Sequence, residues 1–316
     1  MIDGKVSKML RGVAILIVIA SHYAEWMYVE AVHLRAREII STLGPIGVSI
    51  FFLLSGYGLT KSAAKGETGR DGGITPNFVL KRFMASYFPY IVVIGIINSI
   101  QHTWEEADAG YIKDFLTGFN YWYMYVLFIM YIAFMVIWRY GYNMIIRLIL
   151  ITAAIIGLTV RLYNIGRADF WELSNIAFLI GIYAAVLERY CPQFMAKKAN
   201  MAVVAMSGLA GTVFCLPLVY SQTSFGWEMT ENIFFSFMVL GIAYLIPTWK
   251  GYILTSLGES SLFIYLIHTA MFWAIVFKFE DATYMKASSL TALITLVAGV
   301  IIGKAYNKFT SFLLKG

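Results

Sequence analysis

A chain of 316 residues that is 60% hydrophobic and only 13% charged departs from soluble domains, where about a quarter of residues carry charge. Its mean hydropathy of +0.73 places it in a bilayer, and it lacks the strand-like alternation with turns about every ten residues that marks an outer-membrane barrel. A net charge of +6 would suit nucleic-acid binding in a soluble domain; here the orientation of membrane loops accounts for it, and no nucleic-acid partner is expected.

Apolar runs of about 20 residues, enough to cross a membrane, lie near 10–29, 42–60, 84–101, 119–138, 144–160, 173–190, 201–220, 232–249, 258–277 and 288–305. They predict an all-α integral membrane protein, a polytopic bundle of about ten transmembrane helices. The first run is too long for a signal peptide, carries Arg11 and His22 and has no small-residue cleavage pattern, so it is retained in the mature protein. Lys and Arg orient membrane proteins. Ten spans with a cytoplasmic N-terminus leave only Arg35, Arg37, Lys113, Arg161, Arg167, Lys278 and Lys286 on the outer face. Both termini are therefore expected in the cytoplasm. No repeat and no linker divides the chain, which reads as a single domain over 1–316. Its one sizeable polar insertion is KSAAKGETGRDGGITPN, residues 61–77. With the following helix start it forms a basic cytoplasmic segment over 61–83, either a loop near a phosphate-bearing ligand or, the favoured reading, a solvated connection.

On the first span, Arg11 and His22 stand eleven residues apart. At about 100° and 1.5 Å per residue they share a helix face and differ in depth by about 16 Å. Arg11 falls at the cytoplasmic boundary and His22 past mid-membrane. An ionisable group at that depth usually faces a bundle interior or cavity; neutral histidine costs less there than a charge, so a hydrogen-bonded packing residue and a functional group are both open readings. Glu25, three residues on, either orients the imidazole or marks the outer interface. The next span, GPIGVSIFFLLSGYGL, residues 44–59, combines Gly44, Gly47, Gly56 and Gly58 with Ser55 and Tyr57; small residues let helices approach closely, and glycine also lets a thin ligand pass. Ser55 lacks the strand-to-helix elbow of a nucleophilic serine. Lys81 and Arg82 mark the start of the third span ahead of Pro89. Alone they are positive-inside anchors; with Lys8, Arg11, Lys61 and Lys65 they form a basic collar for phosphates.

The aromatic run NYWYMYVLFIMY, residues 120–131, reads as an interfacial belt. Cys191 and Cys215 show neither metal nor redox spacing and are expected to be reduced packing residues. In LGESSLFIYLIHTAMFW, His268 follows Ser260–Ser261 and lies mid-span, where it could converge with His22. His33 and His102 fall at outer ends as interfacial polar residues, and no histidine has metal-binding spacing.

These residues resemble the membrane acyltransferase family 3, bacterial integral-membrane enzymes that O-acylate glycans and other acceptors. Its hallmark is an arginine, ten residues and a histidine on the first span, as in Arg11 to His22. Three further blocks agree in order over most of the chain: Gly47 with Phe51–Phe52 and Ser55–Gly56–Tyr57; Arg82 with Pro89–Tyr90; and Gly258, Ser261, Tyr265–Leu266 and His268. Ser86 departs from the pattern, since many members have a second basic residue three positions before the proline, and Glu259 and Tyr121–Trp122 also differ. No fused periplasmic hydrolase-like domain is seen, which leaves the acceptor class open. The resemblance implies an acyl-CoA-dependent O-acetyltransferase-like enzyme of the bacterial cytoplasmic (inner) membrane. Acetyl-CoA is the donor substrate, a hydroxyl of a cell-surface glycan or lipid-linked saccharide the acceptor, and no bound cofactor or metal is needed. His22 is then the general base on the acceptor hydroxyl, or the site of an acyl-histidine relay, and Arg11 a catalytic and donor-binding group. Lys81, Arg82, Ser55 and Tyr57 complete the donor-binding set, and Glu25, Tyr265 and His268 line the cavity. The rival readings are a transporter or flippase, for which the paired halves of many transporters are not seen, and the longer membrane-bound O-acyltransferase type, whose histidine does not follow an N-terminal arginine in this way.

Overall fold

The computed structural model describes residues 2–26, 40, 43–66, 72–141, 143–165, 171–222, 225–246, 251–276 and 284–313. In chain order its helices are α1 (Gly4–Trp26), α2 (Gly44–Lys65), α3 (Pro76–Ile100), α4 (Ala109–Thr117), α5 (Trp122–Tyr140), α6 (Met144–Asn164), α7 (Asn175–Tyr190), α8 (Pro192–Ala196), α9 (Lys198–Gln222), α10 (Phe225–Leu245), α11 (Tyr252–Glu259), α12 (Ser261–Val276) and α13 (Tyr284–Leu313). A helix lies over each predicted apolar run, and no strand occurs among the described residues. Six of them, α2, α3, α5, α6, α9 and α13, are long and apolar enough to cross a membrane. Helices are the natural outcome, because in lipid each backbone N–H and C=O must find its partner within the segment. The protein is thus an all-helical, multi-pass membrane protein.

Local sequence sets the helix ends. Asp3 accepts the N–H of Val6 at 2.7 Å ahead of α1, and Thr75 accepts that of Phe78 at 3.1 Å with Pro76 in the first helical position. Asp108 and Asn143 cap α4 and α6 in the same way, accepting from Tyr111 N at 2.7 Å and Ile146 N at 2.9 Å. Inside α3, residues Phe83–Tyr87 widen to a π-helical turn. Pro89 has no N–H for the preceding turn, and Phe88 N reaches back to Phe83 O instead of Met84 O. The carbonyl of Met84, released by this shift, accepts the hydroxyl of Tyr306 at 2.5 Å.

Two compact units emerge, one from Met1–Ser7, Val48–Lys81 and Asn120–Trp249, the other from Lys8–Gly47, Arg82–Phe119 and Lys250–Gly316. Each is assembled from separated stretches, so no linker signals them in the sequence.

In the first unit, α2 and α7 cross at two glycines. A Cβ on Gly181 would stand 2.8 Å from Tyr57 N, and one on Gly56 would collide with the carbonyl of Phe178. The antiparallel pair α9 and α10 closes likewise over Gly208 and Gly241, whose added Cβ atoms would come within 2.7 Å of Met238 Cα and 2.6 Å of Ala205 N. Glycine in α2 is therefore chiefly a packing device. The polar insertion is shorter than its composition suggests: α2 runs to Lys65, Gly72–Ile74 are buried, and Arg139 donates to Ile74 O at 2.9 Å. Gly72 and Gly73, at φ +54° and +77°, take left-handed conformations that glycine adopts without strain. A wholly solvated connection is thus corrected to one whose described end docks on α5. The aromatic belt is corrected too: Tyr123 is buried and stacks on Phe52, with ring centroids 5.3 Å apart, while Trp122 stacks on Trp171. Cys215 is buried as expected, but Cys191, at the exposed end of α7, does not pack.

In the second unit, Gly12 and Gly258 bring α1 against α11, while Gly299 and Gly303 bring α13 against α12. Tyr90, fully buried in α3, donates its hydroxyl to Phe115 O at 2.7 Å and ties α3 to α4.

Candidate active site

The second unit holds the two histidines. Helix α1 is unbroken from Gly4 to Trp26, so Arg11 and His22 keep the three-turn spacing predicted for them, and both are half-buried. The opening turn of α2 packs on α1 just before His22: a Cβ on Gly47 would lie 2.8 Å from Val18 Cγ2, and one on Gly44 2.8 Å from Ser21 Oγ. His268 comes in on α12, 4% exposed. Its ring stacks on that of His22 with centroids 5.1 Å apart and planes at 28°. One residue further along α1, the ring of Tyr23 meets Phe272 edge-on at 5.1 Å, and its hydroxyl lies 3.3 Å from Thr295 Oγ1. Paired ring contacts at His22 and Tyr23 thus fix the register of α1 on α12.

The hydrogen bonds of His268 assign its tautomer. Its Nδ1 faces the carbonyl of Tyr265, which can only accept, so Nδ1 carries the proton; Nε2 is then the acceptor for the Thr269 hydroxyl at 3.3 Å. The ring of Tyr265 lies 5.3 Å from the same imidazole. With both nitrogens engaged, His268 is a wall on which His22 rests. In His22, Nδ1 is sealed from solvent.

Arg82, also half-buried, stands at the edge of the π-helical turn. Lys81 and Arg82 do not open α3 but follow Pro76 by more than a turn. Ser86, the departure from the family pattern, is buried and donates to Arg82 O at 2.9 Å, a local backbone bond. Lys8 pairs with Glu259 at 2.7 Å, so this second departure carries a contact to α1. Glu25 belongs to α1, but its side chain lies outside the described residues, as does His33. His102 is exposed and bonded to Glu105 at 2.7 Å.

The remaining candidates, Ser55, Tyr57 and Lys81, belong to the first unit. Lys81 is exposed and Ser55 half-buried. Tyr57 joins a cluster the sequence reading missed: its hydroxyl donates to Glu188 Oε2 at 2.5 Å and accepts Ile2 N at 3.2 Å. Tyr244 donates to the same Oε2 at 2.5 Å, and Lys61 to Oε1 at 2.8 Å. Glu188 ends an apolar run, where a charge reads as interfacial, and its partners are 56 to 131 residues away; only tertiary structure gathers them. The Glu188 side chain is 9% and that of Lys61 29% exposed. Glu188→Ala, which leaves one cation and two phenols without their acceptor, is expected to destabilise the protein by about 3 kcal/mol. Lys8→Ala, breaking a pair 45% and 35% exposed, is expected to cost less than about 1 kcal/mol. Thermal unfolding of the two variants in one detergent checks the contrast.

A family model described as an acyltransferase domain, that of acyltransferase family 3, matches residues 7–305. The chain belongs to this family. No curated protein and no solved structure matches it. The acyltransferase match runs through both compact units, from α1 into α13. Within it, Gly56 and Gly258 are close-approach points, Tyr57 is a partner of Glu188, His268 stacks on His22, and Tyr265 contacts His268.

Proposed function

We propose that this acyltransferase moves an acetyl group from acetyl-CoA to a hydroxyl of a cell-surface glycan or lipid-linked saccharide, as one domain of about ten spans in a bacterial inner membrane with both termini cytoplasmic. The observation that supports it most is the contact of His22 with His268, on the helix that carries Arg11 three turns away. Such a separation, about 16 Å along the axis, suits an elongated donor whose anionic and reactive ends lie far apart. Arg11 and Arg82 hold the donor's phosphates, for which a guanidinium offers a fixed fork of donors at any accessible pH. Neutral His22 accepts the proton of the acceptor hydroxyl at Nε2 as that oxygen attacks the thioester carbonyl. The C–S bond then breaks, the leaving thiolate takes the proton from the imidazolium, and ester and free thiol are released. His268 holds the His22 ring in place, and Tyr265 holds His268.

Purified protein in vesicles, given acetyl-CoA labelled in the acetyl group, is expected to release free CoA and label a glycan or lipid-saccharide fraction only when that fraction is added. Movement of the acceptor across the vesicle without thiol release would instead identify a carrier and overturn the proposal.

A further inference from the structure

The first unit contains a cavity of about 290 Å³ at the ends of α2 and α7. Lys61, Lys65 and Arg189 stand around it, and Ala64, Ala185 and Trp138 supply its apolar wall. Lys65 and Arg189 occupy the last turns of their helices. Anchoring by the positive-inside rule explains cations at such ends. It does not explain a recess beneath them, which exists because Ala64 and Ala185 are too small to fill the gap between α2 and α7. Among the described residues that line the cavity, Lys61, Lys65 and Arg189 are cations and none is a carboxylate; Glu188 pairs with Lys61 at 2.8 Å. The volume is at the lower bound of small-molecule sites, roughly 300 Å³, and accommodates one charged head with the remainder of the ligand outside. Next to it, Met144, which also lines the cavity, opens α6, whose following residues Ile145 and Ile149 are 71% and 61% exposed. Leu187, beside Glu188, is exposed as well.

We propose that this cavity binds a phosphate ester, with the anion between Lys65 and Arg189 and an apolar remainder along the exposed face of α6 and α7. The same chemistry is offered by the headgroup of an anionic phospholipid and by a soluble phosphate ester such as coenzyme A. The lipid fits better, since the surface beside the cavity is apolar. Basic pockets between membrane helices hold anionic headgroups by the same physics. The site does not depend on the transfer reaction, and its test reads binding alone.

The full-length protein is purified from membranes of equal phosphatidylglycerol and phosphatidylcholine, and the lipids retained after detergent washing are counted by native mass spectrometry. In a second arm, coenzyme A binding to the delipidated protein is measured by equilibrium dialysis. Both are repeated with Lys65→Glu/Arg189→Glu and with the milder Lys65→Gln/Arg189→Gln, exposed positions that leave the Lys61–Glu188 pair intact. Selective retention of phosphatidylglycerol that falls at least about tenfold on charge reversal supports the site and names its source as lipid. Coenzyme A binding that falls equally supports the site with a soluble source. If neither ligand binds the native protein more tightly than the folded reversal or neutral variant, the proposal is overturned.

Discussion

His22→Ala is expected to lower acetyl transfer by about 10²–10⁴-fold, the range a positioned general base supplies, with the helices still assembled. The assembly does not hinge on this ring. Immediately before it, Gly44 and Gly47 seat α2 on α1; immediately after it, Tyr23 packs on Phe272. His22→Asn keeps a polar group of similar reach without a base at this depth and is expected to be as inactive as the alanine variant. Arg11→Ala is expected to raise the KM for acetyl-CoA more than it lowers kcat, because its role is to bind. His268→Ala is expected to lower kcat less than His22→Ala does, since His268 acts by holding its neighbour. Thiol release per mole of folded, monodisperse protein is the measurement. A His22→Ala protein within about threefold of the native rate would remove the proposed base from the reaction.

Much of this fold could be read from apolar run length, because in lipid the backbone must satisfy itself and a helix of about 20 residues is the way to do so. The positions of α1, α5 and α9 illustrate that legibility. What remained hidden depends on partners distant in the chain. Glu188 looks like an interfacial charge until Lys61, Tyr57 and Tyr244 are brought to it. Tyr123 sits in an aromatic run that resembles a membrane belt, yet it turns inward onto Phe52. The insertion after Lys61 is polar in composition, but the left-handed turn at Gly72–Gly73 and the bond from Arg139 to Ile74 draw its end into the protein. For the candidate site, helix periodicity placed Arg11 and His22 on one face. Periodicity gives no rotational register between helices, so the stacking of His22 on His268 required coordinates.

That register is set partly by a glycine, which gives the second large effect. Gly258→Ala is expected to destabilise the protein by at least about 3 kcal/mol, the upper part of the range for overpacking. The added methyl would collide with Lys8 O and lie 2.6 Å from Lys8 C and 2.9 Å from Gly12 N. All three are backbone atoms of α1, so no side-chain rotation relieves the clash; α11 must move away. The ion pair between Lys8 and Glu259 loses its geometry with that movement. Because α12 begins one residue after the break at Ser260, the displacement also reaches the helix that carries His268. Transfer is therefore expected to fall with stability, whereas His22→Ala separates the two. Gly58→Ala is the control: nothing lies within 4 Å of its added Cβ, and alanine is about 0.5–1 kcal/mol better than glycine inside a helix, so the melting temperature is expected to hold or rise slightly. If Gly258→Ala melts like Gly58→Ala and keeps full activity, α1 and α11 are not in contact at Gly12 and Gly258, and the register that brings His22 to His268 has another origin.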